Sequence, residues 1–291
     1  MGLPRFTYFQ PETLSNLESL LIKHQGKAKV LAGGTDLMVQ MKAGLLAPAV
    51  LVDIGNLKDL QGISNEEGKG ITILAGTKIA AIEHSPLIKE KLPALVESAA
   101  LIGSSQVRAM ASLGGNSCNA SPSAETPPIL IALGTEAIVG SAGSVRKIPL
   151  ENFFLAYRHV DLNPGEYLKA FFIPDQPSNA GSAYLCRMLR RAMEIDIVNV
   201  GVRLLLDKKE KCQEARIALG AVAPVPVRAR KAEAVLVGKA LTEKAFRQAG
   251  EAAAGESTPI DDIRASAEYR REMVEVLVRR ALQQAAARIK G

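Results

Sequence analysis

Two glycine pairs have residue types and spacing that suit a definite chemistry. The first pair lies in Ala32-Gly33-Gly34-Thr35-Asp36, between an apolar run typical of a strand and a run typical of a helix. Adjacent glycines permit a tight turn and expose backbone N–H groups, which bind phosphate oxygens at a helix N-terminus. Thr35 adds a hydroxyl donor, and Asp36 can cap the helix. The segment therefore predicts an anion-binding turn, although a plain strand-to-helix turn fits the same residues.

The second pair lies in Ser112-Leu113-Gly114-Gly115-Asn116, followed by small polar residues as far as Glu125. Backbone N–H groups with Ser, Asn and Cys side chains suit a long, narrow ligand such as a nucleotide diphosphate. Glu125 is expected to accept hydrogen bonds from sugar hydroxyls. The composition predicts a loop without regular structure over 112–128, and a surface loop of turn-forming residues is the alternative. A β-carbon at Gly33 or Gly115 is expected to block the approach of phosphate.

The Gly-x-Gly-x-x-Gly spacing of a dinucleotide fold is absent, and no Gly-Lys-Ser/Thr follows either pair, so a P-loop is excluded. The three histidines and three cysteines are isolated from one another, without catalytic or metal-ligand spacing; they are His24, His84, His159, Cys118, Cys186 and Cys212. We therefore predict no catalytic residue and no metal site in this chain. Any metal or iron–sulfur cluster involved must lie on another chain.

The elements that must position the two loops follow from hydrophobic periodicity. The pattern predicts an α+β fold. A segment at 1–176, with subdomains at about 1–58 and 59–176, precedes a segment at 177–291. In the last segment, strands at 183–189, 197–206 and 214–222 precede helices at 228–237, 242–253 and 267–289, which indicates an antiparallel sheet with helices on one face. The polar, Pro/Gly-rich stretch 175–182 is the expected boundary.

The composition is that of an ordinary globular protein. The chain has 291 residues, 47% hydrophobic and 23% charged, with a net charge of +6. Aromatic residues make up 4% and Trp is absent, which disfavours single-stranded nucleic-acid binding. No apolar run approaches the ~20 residues that span a bilayer, and no signal core is present at the start. We expect a cytoplasmic protein that binds no nucleic acid.

The paired motifs, in this order and at this separation, resemble those of the FAD-binding subunits of the molybdenum hydroxylases. The first, at 32–37, looks like the family pattern without change, whereas Ser112-Leu113-Gly114-Gly115-Asn116 varies a pattern that usually reads Thr-Ile-Gly-Gly-Asn. Flanking residues 103–108 and 120–122 match as well. The resemblance implies a two-subdomain FAD-binding fold of the vanillyl-alcohol oxidase/PCMH type, followed by a C-terminal domain of the carbon monoxide dehydrogenase flavoprotein type.

The resemblance also implies the residues that contact FAD. The pyrophosphate and adenosine side of FAD is expected to contact a first group of residues, namely Val30, Leu31, Ala32, Gly33, Gly34, Thr35, Asp36 and Leu37. The remaining cofactor-binding residues of the second segment are Val107, Ala111, Ser112, Gly115, Asn116, Cys118, Ser121 and Glu125, the last in a place where the family often has Asp. Leu168 is expected near the adenine or the flavin. A lysine of the family falls at Cys186 or Arg187, and Ile195 or its neighbours are expected to cover one ring face.

The resemblance further implies an electron-transfer subunit that passes electrons from a 2Fe-2S subunit, via FAD, to an external acceptor. A molybdopterin-binding large subunit carries the substrate chemistry, and a dimer of heterotrimers is a further expected assembly. Two alternatives remain open: a self-contained flavin oxidoreductase, for which no substrate-facing acid can be nominated, and a non-redox module that binds an anionic nucleotide.

Overall fold

Three β-sheets, each with its own helices, and one small two-stranded sheet make up the described part of the computed structural model, which comprises residues 2–190 and 192–290. The first sheet is parallel, with strand order β1-β3-β2. Its elements are β1 (Thr7–Phe9), α1 (Leu14–Lys23), β2 (Ala28–Leu31), α2 (Leu37–Lys42) and β3 (Val50–Asp53). The Thr13 hydroxyl caps α1 by accepting from the Asn16 N–H at 3.2 Å. Leu17 and Leu21 form the buried face of this helix. The strand, glycine turn and helix predicted around the first glycine pair are all present.

The second sheet is antiparallel, with order β4-β5-β10-β6-β7. Its strands are β4 (Ile63–Glu66), β5 (Gly70–Leu74), β6 (Glu136–Ser141), β7 (Ser144–Pro149) and β10 (Tyr167–Pro174), with a separate hairpin of β8 (Phe154–Ala156) and β9 (His159–Val160). Its helices are α3 (Ile79–His84), α4 (Pro86–Lys91), α5 (Pro93–Leu101), α6 (Ser105–Met110), α7 (Leu113–Cys118) and α8 (Thr126–Ala132). Ile73 and Phe171 face each other across β5 and β10 and are fully buried.

The third sheet is also antiparallel, in the order β11-β12-β13-β14. It consists of β11 (Ala180–Arg187), β12 (Val198–Leu206), β13 (Cys212–Gly220) and β14 (Val227–Arg228), followed by α9 (Arg230–Leu236), α10 (Glu243–Glu256) and α11 (Ala267–Lys290). The Asp207 carboxylate accepts from the N–H groups of Lys209 and Lys211, which closes the hairpin between β12 and β13. Helices α9 and α11 pack on this sheet and α10 packs on both of them, as predicted.

Helix α8 lies between the second and third sheets. It packs on β12 and β13 of the third sheet as well as on α5 and α7 of the second unit. All seven of its residues are buried. Eight of the nine residues of β12 are buried too, because helices cover both faces of the third sheet. The C-terminal sheet is therefore joined to the preceding unit through a continuous apolar core.

A polar contact holds the long C-terminal helix to the same unit. The Glu97 carboxylate, on α5, forms an ion pair with Arg288 and accepts from the Gln284 side-chain amide at 3.1 Å. It also accepts from the backbone N–H of Tyr184, on β11, at 3.2 Å. Arg288 additionally donates to the Ser182 carbonyl at 2.7 Å. One carboxylate thus fixes α5, β11 and α11 relative to one another.

The segment 112–128, predicted to be a loop without regular structure, contains two helices instead. Helix α7 occupies its first part, and α8 begins within it, at Thr126. Pro127 and Pro128 lie in the first turn of α8, where a missing N–H breaks no helical hydrogen bond. The sequence pattern also missed six short strands, namely β1, β4, β7, β8, β9 and β14.

The α+β class and the C-terminal antiparallel sheet are confirmed. The assignment to the vanillyl-alcohol oxidase/PCMH type and the domain limits at 176 and 58 stay predictions. Over residues 2–190 and 192–290, no helix combines the length and the apolar character needed to cross a membrane.

Replacing Ile129 with alanine tests how far the fold depends on α8. Ile129 is fully buried in α8, so Ile129→Ala leaves a cavity and should lower the free energy of unfolding by about 2–5 kcal/mol. Ile263→Ala removes the same atoms from a side chain that is 97% exposed, and should change stability by less than about 0.5 kcal/mol. Urea denaturation followed by circular dichroism measures both. Equal losses in the two variants would contradict the assigned place of α8.

Candidate functional site

The first glycine segment is a turn from β2 into α2. Gly34 has φ +70°, a left-handed conformation that favours glycine at this point. Within the described part of the chain, the N–H groups of Gly33, Gly34, Thr35 and Asp36 donate no hydrogen bond to protein. These groups precede the first turn of α2 and are free to bind an anion. Asp36 occupies the N-cap position but makes no side-chain capping bond, so the predicted carboxylate cap is wrong.

The backbone of Gly33 rests directly on the residues that precede the second motif. A β-carbon built on Gly33 would lie 2.1 Å from the carbonyl oxygen of Met110 and 2.8 Å from Cα of Ala111. A side chain is therefore excluded at Gly33 by contact between the two segments. The sequence prediction gave a different reason, the approach of phosphate. The structure thus brings the two glycine motifs together at Gly33.

The second glycine motif is the start of α7. The Ser112 hydroxyl caps the helix by accepting from the Gly115 N–H at 3.1 Å. The N–H of Leu113 donates to the Thr77 carbonyl, and that of Gly114 donates to the Ala75 carbonyl at 2.8 Å. A β-carbon on Gly114 would lie 2.7 Å from the Ala75 carbonyl oxygen, so this glycine lets α7 approach the end of β5.

The backbone amides of this motif are consequently used inside the protein. The Asn116 N–H donates to the Ser112 carbonyl at 3.0 Å, which leaves none of the N–H groups from 113 to 116 free. The prediction of bare backbone amides is therefore wrong for the second motif. Gly115 itself is exposed, and only the Ser112 Oγ, at 3.0 Å, lies within 4 Å of a β-carbon built there. The surface at Gly115 can accept a close ligand.

Helices α2 and α7 are joined behind the two motifs. The Gln40 side-chain amide donates to Asn119 Oδ1 at 3.1 Å, and Arg158 donates to Gln40 Oε1 at 3.4 Å. Burial raises the pKa of Asp36, and the charge of Arg158 acts in the opposite direction. The Arg158 guanidinium therefore lies near the first motif as well as near the end of α7.

Cys118, on α7, is a neutral thiol. Burial raises its pKa to about 12, and the nearby charge of Lys29 only partly offsets that rise. Because the thiolate is the nucleophilic form, Cys118 is a packing residue at neutral pH. The influence of Lys29 shows that β2 of the first unit lies near this part of α7.

Glu125 lies in a partly buried environment that disfavours its ionised form. The Thr126 hydroxyl donates to Asn116 Oδ1 at 2.6 Å, and this orients the Asn116 amide toward Glu125 Oε2 at 3.5 Å. Burial is the main cause that raises the pKa of Glu125 to about 8, with further contributions from the charges of Asp196 and Asp36. At neutral pH the Glu125 carboxyl is therefore mostly protonated.

The C-terminal unit contributes a buried acid, Asp196, that sequence reasoning missed. Asp196 is 1% exposed, and its Oδ2 accepts from the Tyr184 hydroxyl at 3.0 Å and from the Asn199 amide at 2.7 Å. Burial raises its pKa to about 6, against the effect of these hydrogen bonds and one from Cys186. The sequence did contain a signal for this residue. Asp196 directly precedes the mostly apolar run 197–202, and an acid next to a buried strand is expected to be buried with it.

The other predicted residues are spread more widely. Leu168 is buried at the start of β10, in the same core as Val107, Ala111 and Cys118. Arg187 ends β11 and donates to the Tyr269 hydroxyl at 3.0 Å, so its guanidinium is directed toward α11. The remaining residues predicted to bind FAD are half-buried or exposed; they are Val30, Leu31, Ala32, Leu37 and Ser121.

The loop between β11 and β12 exposes three apolar side chains, Leu189, Met193 and Ile195. The Met193 N–H donates to the Gly103 carbonyl at 3.2 Å, which fastens the loop beside α6. Ile195, predicted to cover a ring face, is 45% exposed. The side chain of Cys186, by contrast, lies beside Asp196. The correspondence of Cys186 or Arg187 to the lysine of the family stays a prediction.

Comparison with known proteins finds similar FAD-binding domains and subunits over nearly the whole chain. The family model for the FAD binding domain in molybdopterin dehydrogenase matches residues 4–176, and that for the CO dehydrogenase flavoprotein C-terminal domain matches residues 183–285. The chain is 34% identical to the carbon monoxide dehydrogenase medium chain of Afipia carboxidovorans, over 98% of both. It is 30% identical to the xanthine dehydrogenase FAD-binding subunit of Escherichia coli O157:H7, over 98% of this chain and 97% of the relative.

A solved structure gives the same result. A chain of carbon monoxide dehydrogenase from Hydrogenophaga pseudoflava superposes with a TM-score of 0.94 at 32% identity, covering 99% of each chain. That structure lacks the Mo-pyranopterin moiety of the molybdenum cofactor.

Three of the four motif glycines, Gly33, Gly114 and Gly115, should respond differently to alanine. Gly33→Ala and Gly114→Ala place a β-carbon against backbone atoms, so each should lower the free energy of unfolding by about 1–3 kcal/mol. Gly115→Ala meets only a hydroxyl, and should change stability by no more than about 1 kcal/mol. Thermal and urea unfolding of the three variants measure this order. A Gly33→Ala variant as stable as Gly115→Ala would mean that the two segments are not in contact.

Proposed function

The chain belongs to the family of the FAD-binding subunits of the molybdenum hydroxylases, and we propose that it relays electrons within such a complex. It is an FAD-binding oxidoreductase subunit. In the proposed role it receives electrons from a 2Fe-2S subunit and passes them by way of FAD to an external acceptor. A molybdopterin-binding large subunit is the second proposed partner, in a cytoplasmic complex that can pair into a dimer of heterotrimers.

The observation that carries this proposal is the contact between the two motifs at Gly33. On one side lie four free backbone N–H groups, from Gly33 to Asp36, which suit the oxygens of a diphosphate. On the other side lie the exposed Gly115 and the polar side chains of Asn116 and Glu125, which suit a hydroxylated chain. The donor set therefore fits FAD, with a phosphate end at the first motif and polar contacts along the second.

The remaining residues define what this chain does for the cofactor. FAD supplies the redox chemistry when it is bound, and the protein supplies binding and orientation. The guanidinium of Arg158 and the ammonium of Lys29 place positive charge beside the first motif and α7. Cys118 stays protonated, so it adds no competing nucleophile. We assign Leu168 and Arg187 to the ring or adenine end on the family pattern alone.

Flavin binding by the purified full-length chain tests the first part of the proposal. We expect one FAD per chain, seen as flavin absorbance that persists through gel filtration after reconstitution. Gly115→Val should weaken FAD binding at least tenfold, because the branched side chain projects from an exposed position of the motif. Val39→Ala, a change at an exposed residue of α2, is the control. A folded chain without flavin absorbance would refute the proposal.

Assembly tests the second part. Co-expression with a 2Fe-2S protein and a molybdopterin-binding protein of the same organism should yield one complex that contains all three chains. The reduced 2Fe-2S protein should then bleach the flavin absorbance of this chain, whereas the FAD-loaded chain alone should oxidise no substrate of the complex. A chain that turns over substrate without partners would instead support the self-contained flavin oxidoreductase.

A further inference from the structure

The tip of the β8–β9 hairpin lies against the segments of both glycine motifs. Its two residues, Tyr157 and Arg158, join β8 to β9. The Arg158 N–H donates to the carbonyl of Ala120, just after α7, at 3.1 Å. Its guanidinium donates to Oε1 of Gln40, on α2, at 3.4 Å, and the same Gln40 side chain donates to Asn119. Arg158 thus connects the end of α7 to the helix that follows the first motif.

The Arg158 guanidinium lies beside the turn that carries the free N–H groups. Gln40 lies one helical turn after Asp36, and its N–H donates to the Asp36 carbonyl at 2.9 Å, so both residues share one face of α2. One turn is about 5 Å along the axis, and helical side chains point back toward the N-terminal end. A group that contacts the Gln40 side chain is therefore within reach of the N–H groups of residues 33–36. Burial raises the pKa of Asp36 and the charge of Arg158 opposes that rise, which agrees with this placement.

Most of the hydrogen-bonding capacity of this guanidinium is unused. Within residues 2–190 and 192–290, it forms no ion pair and donates only to Gln40. The ring of Tyr157, with its centroid 5.1 Å from the guanidinium carbon, restricts where the Arg158 side chain can lie. A guanidinium has several N–H donors in a planar fork, which match the oxygens of a phosphate group. A cation with free donors beside unpaired backbone amides is suited to a phosphate-containing ligand.

The backbone of Arg158 has a conformation that its side chain does not favour. Its φ is +58°, in the left-handed region where glycine and asparagine are preferred. Glycine at the tip of a two-residue hairpin would adopt this conformation without strain. The Arg158 side chain is exposed, so burial of its apolar stem does not explain its presence at this position. Strained residues cluster at ligand sites, where binding rather than stability accounts for the side chain.

We propose that Arg158 is an FAD-binding residue whose guanidinium pairs with the diphosphate, together with the N–H groups of residues 33–36. This inference rests on the proposed function, since it takes the diphosphate to lie at the first motif. The positive charge of Arg158 also offsets the negative charge that Asp36 places there. The β8–β9 hairpin is therefore a third segment of the cofactor site, and it supplies an ionic contact that neither glycine motif contains.

Replacement of Arg158 with glutamine in the full-length chain tests the ionic contact. We measure FAD binding by quenching of flavin fluorescence, and binding of ADP, which has a diphosphate but no flavin, by titration calorimetry. Both dissociation constants should rise roughly tenfold in Arg158→Gln. Arg158→Lys keeps the charge but loses the planar fork, so its values should lie between the two. The control is Arg247→Gln, which removes the same charge from an exposed position of α10 and should bind like the unmodified chain.

The salt dependence of FAD binding separates an ionic contact from a purely structural role. Dissolved salt screens the attraction between a guanidinium and a phosphate group. Between about 50 mM and about 500 mM sodium chloride, the dissociation constant should therefore rise more steeply in the unmodified chain than in Arg158→Gln. Parallel salt profiles of these two proteins would overturn the inference, as would equal dissociation constants in Arg158→Gln and Arg247→Gln.

A glycine variant compares stability with binding. Arg158→Gly relieves the left-handed strain, so it should unfold at a temperature no lower than Arg158→Gln while binding FAD as weakly. Thermal unfolding without ligand measures this comparison. Weaker binding accompanied by an equal loss of stability in both variants would make Arg158 a structural residue and overturn the inference. Absence of FAD binding by every folded protein would instead overturn the proposed function, with the ADP measurement still deciding whether Arg158 binds a diphosphate.

Discussion

The arrangement of the site depends on one close contact, that of the Gly33 backbone with Met110 and Ala111. It aligns the free N–H groups of the first motif with the exposed edge of α7, although the two belong to different sheets. The hydrogen bond between Gln40, on α2, and Asn119, directly after α7, is a second link between the segments of the two motifs. The relative position of the two motifs is therefore set by backbone packing, and side chains such as Asn116 and Glu125 add polar groups beside the second motif.

The two motifs look alike in sequence and differ in physical role. In the first, the glycines leave amides unpaired; in the second, the amides close the first turn of α7 and join it to the end of β5. The sequence of small residues does not distinguish these cases, because the partners of Gly114 and Leu113, Ala75 and Thr77, lie 39 and 36 residues earlier in the chain. Long-range backbone pairing is the information that hydrophobic periodicity does not contain.

Elements with a strong apolar pattern could be predicted, among them α1, β5, β10 and the hairpin of β12 and β13. Short polar strands such as β4 and β7 could not, since they form at the edges of sheets on partners distant in sequence. The same limit explains why Glu125 was found and Asp196 was not. Glu125 lies in a motif, whereas Asp196 acquires its meaning only when β12 folds against the segment before α8.

The complete burial of α8 has a consequence for how the chain matures on the ribosome. One side of this helix is covered by β12 and β13, which end at Gly220. Until those strands have left the ribosome, the half of the molecule with both glycine motifs carries an uncovered apolar helix. The cofactor-holding region is thus not a separable module. A later stretch of the same polypeptide, β12 and β13, covers this apolar surface, so α8 is fully buried only once the third sheet is in place.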